Sequence, residues 1–179
     1  MTPEMKIRRH GYHLMSLASL GIVAAAAIGL FLALLVFCGS AMPFGNWVLF
    51  DLPMDEATRL GAGDRGLLAL ALVLGTLAYI LPLAAVHRVG KALHGCDALS
   101  APVAAAFMRL AHSLPASLLL SVAGACMAAW VRSSHDAWQL RITVSTDPYH
   151  FLVACLCLYS VAHLLRLAVR AADDARGIV

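Results

Sequence analysis

Eight histidines carry the most versatile side-chain chemistry in this sequence. A neutral imidazole nitrogen binds haem iron and transition-metal ions, and a pair such as His112 and His163 could clasp such a group, with His87 as a further candidate for cofactor binding. No two histidines have the His-x-x-x-His spacing of a metal-binding helix. Histidine is also amphipathic and suits a boundary between polar and apolar surroundings. The sequence therefore predicts no metal site and no bound cofactor.

Five cysteines offer thiol chemistry. Cys126 and Cys155 fall at matching depths of two predicted helices, so a disulfide is feasible if those helices touch in an oxidising compartment. Alternatively, both residues pack as small apolar side chains, together with Cys38 and Cys157. The two thiols of the Cys-Leu-Cys run at 155–157 point to nearly opposite helix faces, unlike a Cys-x-x-Cys redox pair. Cys96 is predicted to be a free thiol on the opposite side of the predicted helices from these four cysteines.

Fixed positive charges mark two segments outside the longest apolar stretches. Arg88 and Lys91 belong to HRVGKALHGCDALSAP (His87–Pro102), and Arg166 and Arg170 belong to the segment that closes the chain. Guanidinium and ammonium groups bind the anionic groups of a partner. These four residues are therefore the candidate partner-binding residues. The net charge is only +3 and the basic residues are scattered, so no direct nucleic-acid binding is expected.

Four apolar stretches must position these groups. The chain is 61% hydrophobic and 13% charged, with a mean hydropathy of +0.83, whereas a soluble domain carries about a quarter charged residues. Each stretch has roughly the 20 residues that cross a hydrocarbon core, and backbone groups in lipid must pair within their own segment. We predict an all-α, integral membrane four-helix bundle, one transmembrane domain over residues 1–179, with spans at about 13–38, 66–86, 110–131 and 149–165.

The predicted spans contain no Asp, Glu, Lys or Arg. A charged side chain at the bilayer centre costs at least about 2.5–3.5 kcal/mol, and membrane proteins retain one there for ion or proton chemistry. Their absence argues against a proton-coupled transporter and an intramembrane acid–base enzyme. We therefore predict that the protein is not an enzyme and has no catalytic residues. The same observation does not argue against a carrier of neutral substrates.

Lysine and arginine are divided unevenly between the two sides of these spans. The two terminal tails and the loop between the second and third spans carry nine of them, and the other two loops carry four. Because basic residues favour the cytoplasmic side, we predict that both termini and His87–Pro102 are cytoplasmic. Trp47, Trp130 and Trp138 fall near the opposite ends of the spans, where indole rings favour the interface.

Two prolines and one serine predict local features of the helices. Pro82 and Pro115 each remove a helix hydrogen bond and favour a kink. Together they could open a pocket on the cytoplasmic side, although proline is also simply tolerated in membrane helices. Ser100 as N-cap and Pro102 in the first turn predict a helix that runs from the inner interface into the third span.

Charge spacing predicts ion pairs in the last helix. Arg166, Arg170, Asp173 and Asp174 are arranged so that Arg170 can pair with a carboxylate three or four residues later. Such a tail is either a docking surface or simply a solvated helix end.

Three features resemble a known family. They are VHRVGKALHGCDALSAPVAAAFMRLA (residues 86–111), the four-span layout with both ends inside, and the ending AVRAADDARGIV (residues 168–179). They are similar to the bacterial membrane family catalogued as domain of unknown function 2975. Where that family has a phenylalanine after the glycine step, this chain has DALS. The resemblance implies a bacterial inner-membrane protein without an assigned activity or site, encoded beside helix-turn-helix regulators.

Three functions follow as hypotheses. The leading one is a regulatory or accessory membrane subunit that acts through protein partners or as a homo-oligomer. The second is a small-molecule-binding or lipid-binding channel or carrier component. The third is a haem-binding or metal-binding subunit of a membrane redox complex.

Overall fold

Four long helices account for nearly all of the structure, a computed structural model that describes residues 3–39, 48–49, 52–53, 60–95, 100–135 and 147–176. A short antiparallel hairpin pairs two strands of two residues each, β1 (Val48–Leu49) and β2 (Leu52–Pro53). The predicted all-α class with four helices is confirmed. The helices are α1 (Pro3–Cys38), α2 (Ala62–Gly95), α3 (Ala101–His135) and α4 (Asp147–Arg176).

Each helix is long and apolar enough to cross a membrane, which indicates a membrane protein. The apolar stretches have mean hydropathies of 2.8, 2.3, 1.8 and 1.5 along the chain. Every predicted span lies within one helix, but the helices extend beyond the spans. Helix α4, for example, runs to Arg176, beyond the predicted end of its span near residue 165.

Helix α1 ends at a glycine with a left-handed backbone. Gly39 has φ +66°, and its N–H donates to the carbonyl of Val36 at 3.1 Å. A side chain on Gly39 would be strained by this φ and would also collide with the guanidinium of Arg65. This geometry is the usual glycine termination of a helix.

Helix α3 begins where the sequence predicts, but not through the predicted side-chain cap. The N–H of Ala104 donates to the Ser100 carbonyl at 3.1 Å, which places Ser100 at the N-cap. Its Oγ is buried and has no hydrogen-bond partner among the described residues. From Ala101 the helix continues without interruption to His135, so the amphiphilic segment does not form a separate interfacial element.

The chain divides into two compact units, which are described separately. Unit I comprises Met1–Ile22, Leu81–Ala116 and Val144–Val179, and unit II comprises Val23–Ile80 and Ser117–Thr143. In unit II, small side chains from three helices form the core, and a Cβ on Gly124 would lie 2.9 Å from the Ala71 carbonyl oxygen. This close approach is typical of membrane helix packing. The buried core residues are Ala33, Val36, Leu68, Ala69, Ala71, Leu72 and Ala128.

In unit I, α1 and α2 cross at Gly11 and Gly90, a contact we call the glycine crossing. A Cβ on Gly11 would lie 2.8 Å from the Gly90 carbonyl oxygen, and a Cβ on Gly90 would lie 2.7 Å from the Gly11 carbonyl oxygen. Neither neighbour can yield, because both are backbone atoms. On either side of the crossing, two histidines of α2 have Nδ1 within hydrogen-bonding distance of a backbone carbonyl of α1. The distance is 3.2 Å from His87 to Met15 and 3.2 Å from His94 to Arg8.

A single hydroxyl compensates for a proline in α2. Pro82 has no N–H, so the carbonyl of Ala78, four residues earlier, lacks its helical donor. In unit II the Ser117 hydroxyl of α3 donates to that carbonyl at 2.6 Å. Serine side chains commonly satisfy backbone groups that prolines free in membrane helices. Helix α2 continues through Pro82 to Gly95.

We predict that Ser117→Ala lowers the free energy of unfolding by about 1–3 kcal/mol, because it leaves a carbonyl unpaired in apolar surroundings. Thermal unfolding in mild detergent measures the change. The matched control is Ser121→Ala, because Ser121 is exposed one turn later on the same helix. In a Pro82→Ala background the new N–H supplies a helical donor, so Ser117→Ala should cost less. Equal costs in both backgrounds would contradict the compensation.

We also predict that Gly90→Ala destabilises the protein by about 1–3 kcal/mol, because the added methyl group forces the two backbones apart. Gly66→Ala in the same helix is the control, since a Cβ there meets nothing within 4 Å. It should leave the melting temperature unchanged or raise it, because alanine favours helix more than glycine. If both variants have the melting temperature of the wild type, the glycine crossing is not a tight contact.

Candidate anion-binding cleft

An open cleft of about 480 Å³ lies in unit I between the first turns of α3 and the last turns of α4. One part of its lining is charged or titratable and the other is apolar. The polar lining residues are Arg109, His112, Arg166 and Arg170. The apolar lining residues are Ala101, Ala104, Ala105, Met108 and Val169.

Helical periodicity presents these side chains together. On α3 the lining positions follow one another at three-residue or four-residue steps from Ala101 to Met108 and His112, so they share a face. On α4, Arg166 and Arg170 are four residues apart with Val169 beside them. Ala104 and Val169 are both 5% exposed. The two helices therefore pack through small and branched apolar residues and leave the longer cationic side chains at the rim.

The cleft combines three permanent positive charges, and its described lining residues include no carboxylate. Arginine stays protonated throughout the accessible pH range, and Arg109, Arg166 and Arg170 form no ion pair within the described part of the chain. The structure shows no ion pair between Arg170, which lines the cleft, and Asp174, which is exposed. The side chain of Asp173 lies outside the described residues.

Like charges that share one cleft repel each other, and water screens this repulsion only in part. A bound anion would remove the repulsion and accept hydrogen bonds from several guanidinium groups at once. The arrangement is therefore suited to holding an anion of more than one negative charge.

His112 has a defined orientation at one end of the cleft. Its Nδ1 lies 2.7 Å from the carbonyl oxygen of Met108, and a carbonyl only accepts, so Nδ1 carries the proton that is donated. The ring packs edge-on against Tyr159 with 5.5 Å between the centroids. With Nδ1 engaged, Nε2 is the ring nitrogen that remains to interact with a ligand.

The other candidate cofactor-binding histidines lie elsewhere. His87 has Nδ1 3.0 Å from Ser19 Oγ and 3.2 Å from the Met15 carbonyl oxygen, so it ties α2 to α1. His163 is exposed on α4 and does not line the cleft. Among the described residues, no group of three or more His, Cys, Asp or Glu side chains is placed to hold a metal ion.

The remaining candidates are solvent-accessible or unpaired. Arg88 and Lys91 are exposed on α2 and do not line the cleft. The thiols of the described cysteines are free, including both members of the disulfide considered from the sequence, and Cys96 lies outside the described residues. The free cysteines are Cys38, Cys126, Cys155 and Cys157.

The structure thus joins residues that the sequence assigned to different roles. Arg166 and Arg170 were candidate partner-binding residues, and His112 was a weak candidate for cofactor binding. Arg109 entered only the count of basic residues. The available signal was the recurrence of two basic or titratable residues three or four positions apart near the predicted inner ends of two spans.

Comparisons of the chain with family models, with curated proteins and with solved structures find no match. The resemblance to the family of unknown function 2975 therefore stays a prediction. The case for function depends on the cleft and on the distribution of charge along the chain.

Proposed function

We propose that this protein is a polytopic membrane protein that acts by binding an anionic ligand in the cleft between α3 and α4, without catalysing a reaction itself. The observation that carries the proposal is the convergence of Arg109, Arg166 and Arg170 on one cleft, where no acidic residue is among the described lining residues. Of the functions considered from the sequence, the binding of a small molecule or lipid agrees best with this geometry.

The energetics favour a ligand over a purely structural role. A hydrogen bond to a charged group contributes about 1.5–3 kcal/mol, and three guanidinium groups can each donate at least two. Arg109, Arg166 and Arg170 are exposed, so their guanidinium groups are accessible to a ligand from outside the protein. No carboxylate is among the described lining residues, so a bound ligand would supply the negative charge.

The proposal includes an orientation. Nine basic residues lie in the two tails and between the second and third predicted spans, and four lie between the other predicted spans. Both termini would therefore lie in the cytoplasm of a bacterium and α1–α4 in its inner membrane. The cleft would then open toward the cytoplasmic leaflet. Reaction of a cysteine placed at Lys91 with an impermeant reagent from outside the cell would contradict this orientation.

A role in holding a protein partner is the second candidate. Arg88 and Lys91 are both exposed, lie one turn apart on α2 and stay clear of the cleft. A cationic surface of this kind suits an acidic segment of a cytoplasmic protein. An accessory or regulatory subunit that binds a ligand in the cleft and a partner at α2 would combine both candidates.

For the anion, we predict that pyrophosphate raises the melting temperature of the purified protein relative to chloride at equal ionic strength. A ligand at 100 times its Kd stabilises by about 2.7 kcal/mol, which is several degrees for a chain of this size. Arg166→Gln with Arg170→Gln should largely abolish the shift. Arg88→Gln with Lys91→Gln removes the same charge elsewhere and should preserve it. The proposal would be contradicted if the wild type and both double variants showed the same change in melting temperature with pyrophosphate and the same change with anionic lipids.

For the protein partner, we predict that the same two double variants have the opposite effects. Arg88→Gln with Lys91→Gln should reduce the amount of a co-purifying cytoplasmic protein severalfold in mild detergent at low salt, because interfacial charge pairs contribute to retention. The Arg166 and Arg170 double variant should retain it. Quantitative mass spectrometry of the eluates measures this, and equal recovery from all three proteins would leave α2 without a partner role.

A further inference from the structure

We propose that the anion is the phosphate head group of an anionic phospholipid from the surrounding leaflet, with its glycerol and first acyl carbons against the apolar part of the cleft. This inference rests on the proposed function and specifies its ligand. Four observations carry it: the two-sided lining of the cleft, its depth along α4, the contact of its His112 ring with Tyr159 and the number of its charges.

The lining suits an amphiphile better than a fully hydrated ion. Arginine side chains occupy one side, whereas Ala101, Ala104, Ala105 and Met108 present methyl and thioether groups on the other. A small inorganic anion would leave that apolar wall in contact with water. The glycerol and upper acyl carbons of a lipid would cover it, and burial of apolar surface stabilises the complex by roughly 25 cal/mol per Å².

The arginines lie at the depth of lipid head groups. Arg166 and Arg170 come 19 and 23 residues after Asp147, the first residue of α4. At 1.5 Å per residue these positions are about 28 and 34 Å along the helix, and the hydrocarbon core is about 30 Å thick. If α4 enters at one surface, its two arginines emerge at the other, within reach of the phosphates.

The cleft borders an aromatic side chain in the direction that an acyl chain would take. His112 lines the cleft and its ring contacts Tyr159. Tyr159 precedes Arg166 by seven residues and comes 12 residues after Asp147, which is about 18 Å along α4 and near the middle of a hydrocarbon core about 30 Å thick. Its side chain is 46% exposed. The aromatic surface therefore lies deeper than the guanidinium groups, as an acyl chain lies deeper than its phosphate.

The number of charges predicts which lipids bind best. Three guanidinium groups match a head group with two negative charges better than one with a single charge, because each guanidinium fork can engage two phosphate oxygens. Cardiolipin carries two phosphates, and phosphatidic acid carries one phosphate that can lose a second proton. Both should bind more tightly than phosphatidylglycerol, and phosphatidylcholine should bind least. Basic pockets between membrane helices recognise such head groups in general.

The test is native mass spectrometry of the full-length protein, released from neutral detergent after incubation with one lipid at a time. Cardiolipin or phosphatidic acid should be retained on the wild type at least about tenfold more tightly than phosphatidylcholine. Arg166→Gln with Arg170→Gln should lose at least about tenfold in affinity, because it removes two charged hydrogen-bond donors. Arg88→Gln with Lys91→Gln should bind as the wild type does.

A soluble arm separates this inference from the proposed function. Glycerol 3-phosphate and inorganic phosphate should raise the melting temperature only at concentrations far above those at which the lipid acts. If they act at the same concentrations, and if the effect needs Arg166 and Arg170, the anion site stands and the lipid assignment is overturned. If neither lipid nor soluble phosphate responds to the arginine variants, both fail.

Two controls keep a negative result interpretable. Arg166→Lys with Arg170→Lys keeps the charge but loses the bidentate fork, so its lipid affinity should lie between those of the wild type and the glutamine variant. Circular dichroism and size-exclusion chromatography confirm folding of each variant. Equal lipid loss from the cleft variant and from the α2 variant would show diffuse attraction to the bilayer surface, and it would overturn the assignment of a site.

Discussion

Within hydrocarbon, every backbone carbonyl needs a donor from the protein, because no water is present to supply one. Pro82 breaks this condition at Ala78, and the Ser117 hydroxyl restores it from a different helix at 2.6 Å. One polar contact thus couples a local feature of α2 to the packing of α3. The hydroxyl has one productive position, whereas apolar side chains can slide past each other at little cost, so the bond specifies how the two helices are aligned.

Histidine plays a comparable part in the last turns of α2. His87 and His94 reach carbonyl oxygens of α1 on either side of the glycine crossing. The absence of side chains at Gly11 and Gly90 brings the two backbones together, and the imidazoles then add directional bonds. These histidines are explained by packing, whereas His112, beside three arginines, has a ring nitrogen free for a ligand. The same residue type therefore serves two purposes that its surroundings distinguish.

Hydropathy predicted the number and approximate position of the helices, because the length of an apolar run is a property of a single segment. It did not predict where the helices end or which faces meet. Gly11 and Gly90 lie outside the predicted spans, yet they form one of the closest helix contacts. Arg109 and Arg166 are far apart in sequence, so their convergence depends on the pairing of α3 with α4, which no local pattern contains. The spacing rule allows an Arg170–Asp174 pair, but whether such a pair forms depends on the other groups near the guanidinium, and the spacing does not contain these. Ser117 gave no signal at all without its acceptor.

The glycine crossing also bears on biogenesis. The amino-terminal turns of α1 contact the carboxyl-terminal turns of α2 at His87, Gly90 and His94. During synthesis, α1 must therefore wait in the insertion machinery or the bilayer until about eighty further residues have been added. The two helices would then mature together as a hairpin, and a ribosome stalled before Gly90 would leave an anchored but unassembled α1 exposed to quality-control proteases.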